Sequence, residues 1–207
     1  NVAVGNGSLQ SNTSASYNTA VGYQAGYSNT TNAGVTAVGY KAGYANTSGS
    51  VDAFGYSTLG ANTTGTNNAS FGYYSMPANT TGSNNTAMGV NALASNTTAS
   101  NNTAVGYQAG YSNTTGAYNV FNGMQSGYSN TTGASNTNIG YAANFSNSTG
   151  SYNVAIGHQS LNSNTADSNT AVGYQAGYTN STGTQVTFLG YRAGYGNTTG
   201  EMGRAHV

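Results

Sequence analysis

Charge is almost missing from this chain of 207 residues: Lys, Arg, Asp and Glu together make 3% of it, against about a quarter of an ordinary soluble domain. The formal net charge is zero, so there is no electrostatic footprint for nucleic acid or an anionic membrane surface. Cysteine is absent, which removes disulfides and thiolate metal sites and leaves the redox compartment open. Tryptophan is absent too, and Pro77 is the only proline. No apolar run approaches the roughly 20 residues of a membrane-spanning helix, so membrane insertion is not expected. The opening NVAVGNGSLQ has no initiator Met, no basic region and no apolar segment of a secretory signal. The chain is therefore expected to be a mature product or a fragment of a longer one.

What remains is mostly Asn, Thr, Ser, Gly and Tyr. That composition also suits disorder, but disorder needs no period, and this chain has one. A Gly recurs at Gly5, Gly22, Gly39, Gly55, Gly72, Gly89, Gly106, Gly123, Gly140, Gly157, Gly173 and Gly190. An Asn stands seven residues after each, from Asn12 through Asn113 to Asn197. The return from Asn to the next Gly takes ten residues, or nine in two cases, Asn46 to Gly55 and Asn164 to Gly173. The segment GYQAGYSN is thus rigid, and the slack lies in the Gly/Ser/Asn turn that follows. Such a repeat is too short for a helical hairpin. It suits one rung of a β-solenoid, with two short strands and two turns per rung. The expected fold is an all-β parallel β-solenoid or β-roll of about twelve rungs of 16–17 residues. The array is expected over 1–200, with 201–207 (EMGRAHV) as a degenerate tail or boundary in which His206 and Val207 fall where Val and Gly belong.

The columns of the repeat predict which side chains are covered. Before the Gly, eleven of twelve residues are apolar, Val105 among them, and that column is expected to be buried. One residue earlier the column is mostly Ala, as at Ala104. Strand alternation puts Val105 and Tyr107 on one face and Ala104 and Gly106 on the other. The small face would line a narrow roll where backbones approach closely. The bulky face would need a cover from outside, or form the kind of apolar stripe that marks an interface. Four residues after the Gly stands either Leu or Met, as at Leu59, Met76 and Leu93, or Gly followed by Tyr, as at Gly110-Tyr111. The two forms are expected to fill one space from adjacent positions. The Asn113 column, with Thr114 and its equivalents beside it, is expected to form a hydrogen-bonded turn ladder.

Chemistry is sparse. Asn-x-Ser/Thr occurs at eleven of the twelve Asn positions, which would make them glycan acceptors in a secreted eukaryotic protein. The Asn column persists at Asn164, where the motif fails, so the ladder is the better reading. His158 replaces a Tyr of its column and has no ligand partner at metal-binding spacing. Asp52, Asp167 and Glu201 are too scattered for paired acid–base work, and no Ser has a base and an orienting acid around it. No catalytic, metal or cofactor site is expected. The Tyr columns are ordinary solenoid packing or, with Tyr107, Tyr111, Tyr174 and Tyr178 as candidates, a stacking surface for sugar rings. The Thr103 column is broken by Val2, Asp52, Ala69, Val120 and Val154, which argues against a regular ice-binding array.

The string NTAVGYQAGYSNTTG (102–116) resembles repeats of phage tail fibres and large bacterial surface proteins, often found ahead of a self-cleaving chaperone domain. The S/T-x-A-V/I-G-x-x-A core is similar to the head repeat of trimeric autotransporter adhesins. The resemblance covers Asn1 to about Gly200, and the chain departs from it in a longer rung and added Tyr and NTTG segments. It implies a left-handed parallel β-roll, three chains to a trimer, with Val105 and its equivalents at the threefold axis. On that basis the expected role is a non-enzymatic segment of an extracellular fibre, on a virion or cell surface, giving reach and attachment. Its partners would be copies of itself and a host-surface glycan. A self-assembling extracellular filament and a carbohydrate- or ice-binding module are the alternatives.

Overall fold

The computed structural model describes residues 1–199; the expected tail at 201–207 lies outside them. The chain winds into one parallel sheet of twelve strands in sequence order. The strands are β1 (Val2–Val4), β2 (Thr19–Val21), β3 (Thr36–Val38), β4 (Val51–Phe54), β5 (Asn68–Phe71), β6 (Thr86–Met88), β7 (Thr103–Val105), β8 (Val120–Asn122), β9 (Thr137–Ile139), β10 (Val154–Ile156), β11 (Thr170–Val172) and β12 (Thr187–Leu189). Each pairs in the register that the repeat dictates: Ala87 with Ala104, Met88 with Val105. The two short rungs keep this register, with Thr36 opposite Asp52 and Val154 opposite Thr170. The missing residue is absorbed in the turn, as the uneven spacing predicts. At a strand spacing of about 4.8 Å, twelve rungs make a rod of roughly 55–60 Å.

Each rung has one strand, not the two expected. The rigid segment after the Gly is a pair of consecutive four-residue turns. In the rung of β7, the Ala109 N–H donates to Gly106 O at 3.3 Å, and the Asn113 N–H to Gly110 O at 3.0 Å. Gly106, Gln108 and Gly110 have φ of 132°, 54° and 60°, and no extended strand accommodates such a sequence. The inter-rung ladder nevertheless continues through the turns. Gly106 and Gln108 donate to Met88 O and Val90 O at 2.8 and 3.0 Å, on the rung before. Gly110, Ser112 and Thr114 donate to Ser126 O, Tyr128 O and Thr131 O at 2.9, 3.0 and 2.9 Å, on the rung after. The segment is rigid because its backbone groups are spent on neighbouring rungs, as in a strand, though its dihedrals are those of a turn.

The interior is lined by the small column. Ala20, Ala37, Ala53, Ala87, Ala104, Ala155 and Ala171 are fully buried. The column of Val105 is not buried: it points away from the roll, half-exposed to exposed along the rod. Alternation within a three-residue strand puts only its middle residue inward, and both flanking columns, Thr103 and Val105, go outward. The Leu/Met form of the next column fills the core, with Leu59, Met76, Leu93 and Leu161 fully buried. The Tyr of the Gly-Tyr form does not enter that space. Tyr27, Tyr44, Tyr111, Tyr128, Tyr178 and Tyr195 lie half-buried at the surface. The volume a Gly leaves is taken up elsewhere. Phe121 and Phe188, the large exceptions in the Ala column, are buried against Gly110 and Gly127, and against Gly177 and Gly194. A Cβ on Gly110 would stand 2.5 Å from the Phe121 ring. Polar exceptions pair in the same way. Asn144 donates to Asn138 at 3.1 Å, and Thr58 to Ser70 at 2.7 Å, in both cases between an interior strand position and a turn position that faces it.

The Gly that sets the period is required twice over. Its φ lies in the left-handed region, and at Gly106 a Cβ would stand 2.7 Å from the carbonyl oxygen of Gly123 on the next rung. Gly34 (φ 75°) has a left-handed backbone but nothing within 4 Å of its Cβ direction. Gly106→Ala is therefore expected to cost roughly 3 kcal/mol or more, as backbone is pushed from backbone. Gly34→Ala should cost only the left-handed term, about 1–2 kcal/mol. Thermal unfolding of the two variants checks this ordering.

Candidate functional site

Three side-chain columns make the surface beside the sheet. The residue after the period Gly is Tyr23, Tyr40, Tyr56, Tyr73, Tyr107, Tyr141, Tyr174 or Tyr191 in eight rungs. The residue four further on is aromatic in seven rungs, at Tyr27, Tyr44, Tyr111, Tyr128, Phe145, Tyr178 and Tyr195. Between the two runs a polar column of Gln24, Gln108, Gln125, Gln159, Gln175 and their replacements. Its place between the rings is shown by Lys41, whose Nζ lies 5.5 Å from the Tyr40 ring and 5.4 Å from the Tyr44 ring. The polar column has a left-handed backbone at every member from Gln24 to Arg192. It carries its own amide ladder: Gln125 Nε2 donates to Gln108 Oε1 at 3.1 Å, and Gln175 Nε2 to Gln159 Oε1 at 3.0 Å.

The candidate sugar contacts fall on this surface but do not form one site. Tyr107 is 47% exposed, and its column neighbours are Val90 and Met124, so it has no stacked ring. Tyr174 stacks on His158 at 5.1 Å and on Tyr191 at 5.3 Å. Tyr111 stacks on Tyr128, and Tyr178 on Tyr195, each at 5.1 Å. Tyr107 and Tyr174 are four rungs apart, roughly 19 Å along the rod. His158 is a member of the stack, with Tyr141 at 4.8 Å on its other side.

Asn113 is fully buried. Its Nδ2 donates to Asn96 Oδ1 and to Gly116 O, each at 3.0 Å, and its Oδ1 accepts from Asn130 Nδ2 at 2.7 Å. The same ladder runs from Asn46 through Asn62, Asn79 and Asn96. An amide nitrogen held in this way is inaccessible to a glycosylating enzyme while the rung is folded. Thr114, half-buried, donates from Oγ1 to Thr131 O at 3.0 Å, as Thr63, Thr80 and Thr97 do to their next rungs.

A second Asn ladder escaped the sequence reading. Asn stands four residues before the period Gly in nine rungs, Asn18, Asn85, Asn102 and Asn119 among them, and the described ones from Asn18 onward are buried. Those from Asn68 onward cap the next turn twice, while Asn18 does so through its Oδ1 alone, at Val35 N. Asn102 Oδ1 accepts from Asn119 N at 2.9 Å, and Asn102 Nδ2 donates to Gly116 O at 2.9 Å. The signal was present in the recurrent Asn-Thr before the strand, but alternation assigns that position no face, because it lies outside the strand.

A comparison with family models, curated proteins and solved structures finds no match for this chain. Among the described residues no cluster of three His, Cys, Asp or Glu is arranged to hold a metal ion, and no helix is long and apolar enough to cross a membrane. Asp52 is exposed, and Asp167 accepts from the Ser151 N–H at 2.8 Å. Glu201 and His206 lie outside the described residues. What this surface offers chemically is aromatic faces, amides and hydroxyls repeated at rung spacing.

Asn113→Ala removes three buried hydrogen bonds and orphans Asn96 Oδ1, so a loss of about 2–4 kcal/mol is expected. Thr114→Val should cost about 1 kcal/mol, and chemical denaturation of both variants separates the two ladders. The Tyr56 hydroxyl is held above the ordinary 10.0, first by partial desolvation in its stack and then by Tyr74, Tyr40 and Tyr73. Its folded pKa exceeds its unfolded one. The stability linked to it is therefore complete below pH 10 and lost as pH rises through the raised value. Melting above pH 10 should thus fall less steeply in Tyr56→Phe than in the parent.

Proposed function

We propose that this chain is a structural segment of an extracellular fibre, on a virion or a cell surface, where it gives reach and attachment and performs no catalysis. One observation carries this reading: the outer face of the sheet is an apolar stripe along the length of the rod, interrupted in its main column only by Asn122. Val4, Phe71, Met88, Ile139 and Leu189 on this face are all more than a third exposed, and Phe54 and Phe71 stack on it at 4.8 Å. The adjoining column is Thr, Val and Ala, with Asp52 as its one charge. A face of this length, with a single charge and unbroken by loops, suits contact with copies of the same chain in register. A trimer would bring the Val105 columns together and leave the polar and aromatic columns outward. The low charge and the rung-to-rung ladders suit a stiff, protease-resistant spacer, because few backbone groups are left for a protease to pair with.

Light scattering behind size exclusion tests the proposal. A mass three times the chain's 20.8 kDa is expected. The double variant Val105→Asp, Ile139→Asp should reduce it to that of a monomer with an unchanged far-ultraviolet spectrum, since both side chains point outward. A monomeric parent would overturn the assembled fibre. Heterogeneous species that grow with concentration would replace it with end-to-end stacking of rungs into a filament.

A further inference from the structure

Over the five rungs from Gln108 to Gln175 the amide column between the aromatic columns is interrupted at one rung. There Ala142 stands where Gln125 and Gln159 stand on the rungs before and after. Ala142 has a φ of 48°, close to the 57° and 54° of those two residues, so the backbone is the same and only the side chain is missing. The gap is a notch of about 210 Å³ lined by Gln125, Tyr141, Ala142, Phe145, Gln159 and Asn162. That is below the roughly 300–1,000 Å³ of a pocket for a drug-sized ligand and suits a single ring with its substituent. Two amides look into it from opposite sides, about 9–10 Å apart across the missing rung. Gln125, on one wall, spends its Nε2 on Gln108 and keeps Oε1 as an acceptor. Gln159, on the other, spends its Oε1 on Gln175 and keeps Nε2 as a donor. The two walls thus present one acceptor and one donor.

A trans secondary amide has its N–H and C=O on opposite sides and would occupy the place of the missing Gln, donating to Gln125 and accepting from Gln159. Whatever carries that amide must lie against rings, because Tyr141 and Phe145 line the same notch. Phe145 stacks on Tyr128 at 5.1 Å, but Asn162 replaces the aromatic on the following rung. Its Nδ2 turns to Ala142 O at 3.2 Å and leaves that side of the Phe145 ring without a stacked partner. An unpartnered aromatic face beside one amide-sized gap favours the acetamido group of an N-acetylated hexosamine, with the sugar ring on Phe145. A peptide would bring further amides at about 3.3 Å per residue, and these would meet rings that cannot pair with them. The same rung carries the buried Asn138–Asn144 pair in the core, where Asn138 Nδ2 and Asn144 Oδ1 have no partner. Departures from a repeat's rules gather where a site is built.

We infer that the notch at Ala142 is a binding site for the acetamido group of an N-acetylhexosamine. The site does not rest on the fibre reading, since a single rod carries the same notch. Titration of the isotope-labelled chain with N,N′-diacetylchitobiose, followed by amide NMR, tests it. Saturable shifts are expected at Ala142, Gln125 and Gln159 in roughly the millimolar range, as befits two hydrogen bonds and one ring contact. Cellobiose, which lacks the acetamido group, should bind at least tenfold more weakly. Ala142→Gln completes the ladder, so it should melt no lower than the parent and lose binding at least tenfold. Gln159→Glu removes the donor without filling the notch and should weaken binding similarly, which keeps the test open if the first variant misfolds. Equal binding of cellobiose, undiminished binding in both variants, or no shift at tens of millimolar would overturn the inference. Equal or tighter binding of N-acetylalanine methylamide would overturn it in favour of a peptide ligand.

Discussion

The carbonyl oxygen of Gly123 lies so close over Gly106 that no side chain can intervene, and this approach recurs from rung to rung. It fixes the period, because a residue with a Cβ at that point would push neighbouring rungs apart. Rungs held at hydrogen-bonding distance can then satisfy one another's backbone groups even where the dihedrals are those of turns. Side chains of the same column are brought to the same spacing, so Asn bonds Asn, Gln bonds Gln, Thr reaches the next carbonyl and Tyr stacks on Tyr. A chain with almost no charge and a core largely of Ala thus gains its cohesion from repetition, each group meeting a copy of itself.

The period, the parallel topology, the place of the slack and the hydrogen-bonded Asn113 column were legible in the sequence, because each follows from spacing or from the chemistry of one residue type. The second strand was misread because alternation was extended past the Gly, and a residue at φ 132° ends alternation. The burial of the Val105 column was expected from its apolar character alone, whereas its placement opposite Ala104, as an outward apolar stripe, is what the structure has. Three residues of strand leave one inward position, and Ala104 occupies it. The exchange of Leu for Gly-Tyr was legible as volume compensation, but the compensating group was not. Phe121 and Phe188 lie in another column, and only the winding of the chain sets them against Gly110 and Gly177.

The surface follows a different rule from the core. Several core exceptions come in pairs that restore volume or hydrogen bonding, as Asn138 with Asn144 and Ser70 with Thr58. Exceptions in the Gln column are of several kinds, and most of the larger ones find rings to lie against: Tyr74 packs on Tyr73 at 4.7 Å. Lys41 reaches the flanking rings and Arg192 lies 4.0 Å from the Tyr195 centroid, while Ala142 reaches nothing. A tyrosine-rich surface of even spacing shows little from its composition. Its information lies in where the spacing is left unfilled.

The direction of the ladders has a mechanical consequence. Hydrogen bonds between rungs point along the rod, so tension applied along the axis falls on one rung boundary at a time. Such loading peels bonds in sequence, unlike shear, which strains a whole sheet at once. Each rung of 17 residues that lets go would pay out about 55–60 Å of extended chain for the roughly 5 Å it contributed to the rod. Under steady pull the object would behave as a stiff strut up to a threshold, and then as a shock absorber that lengthens in equal steps, one rung to a step.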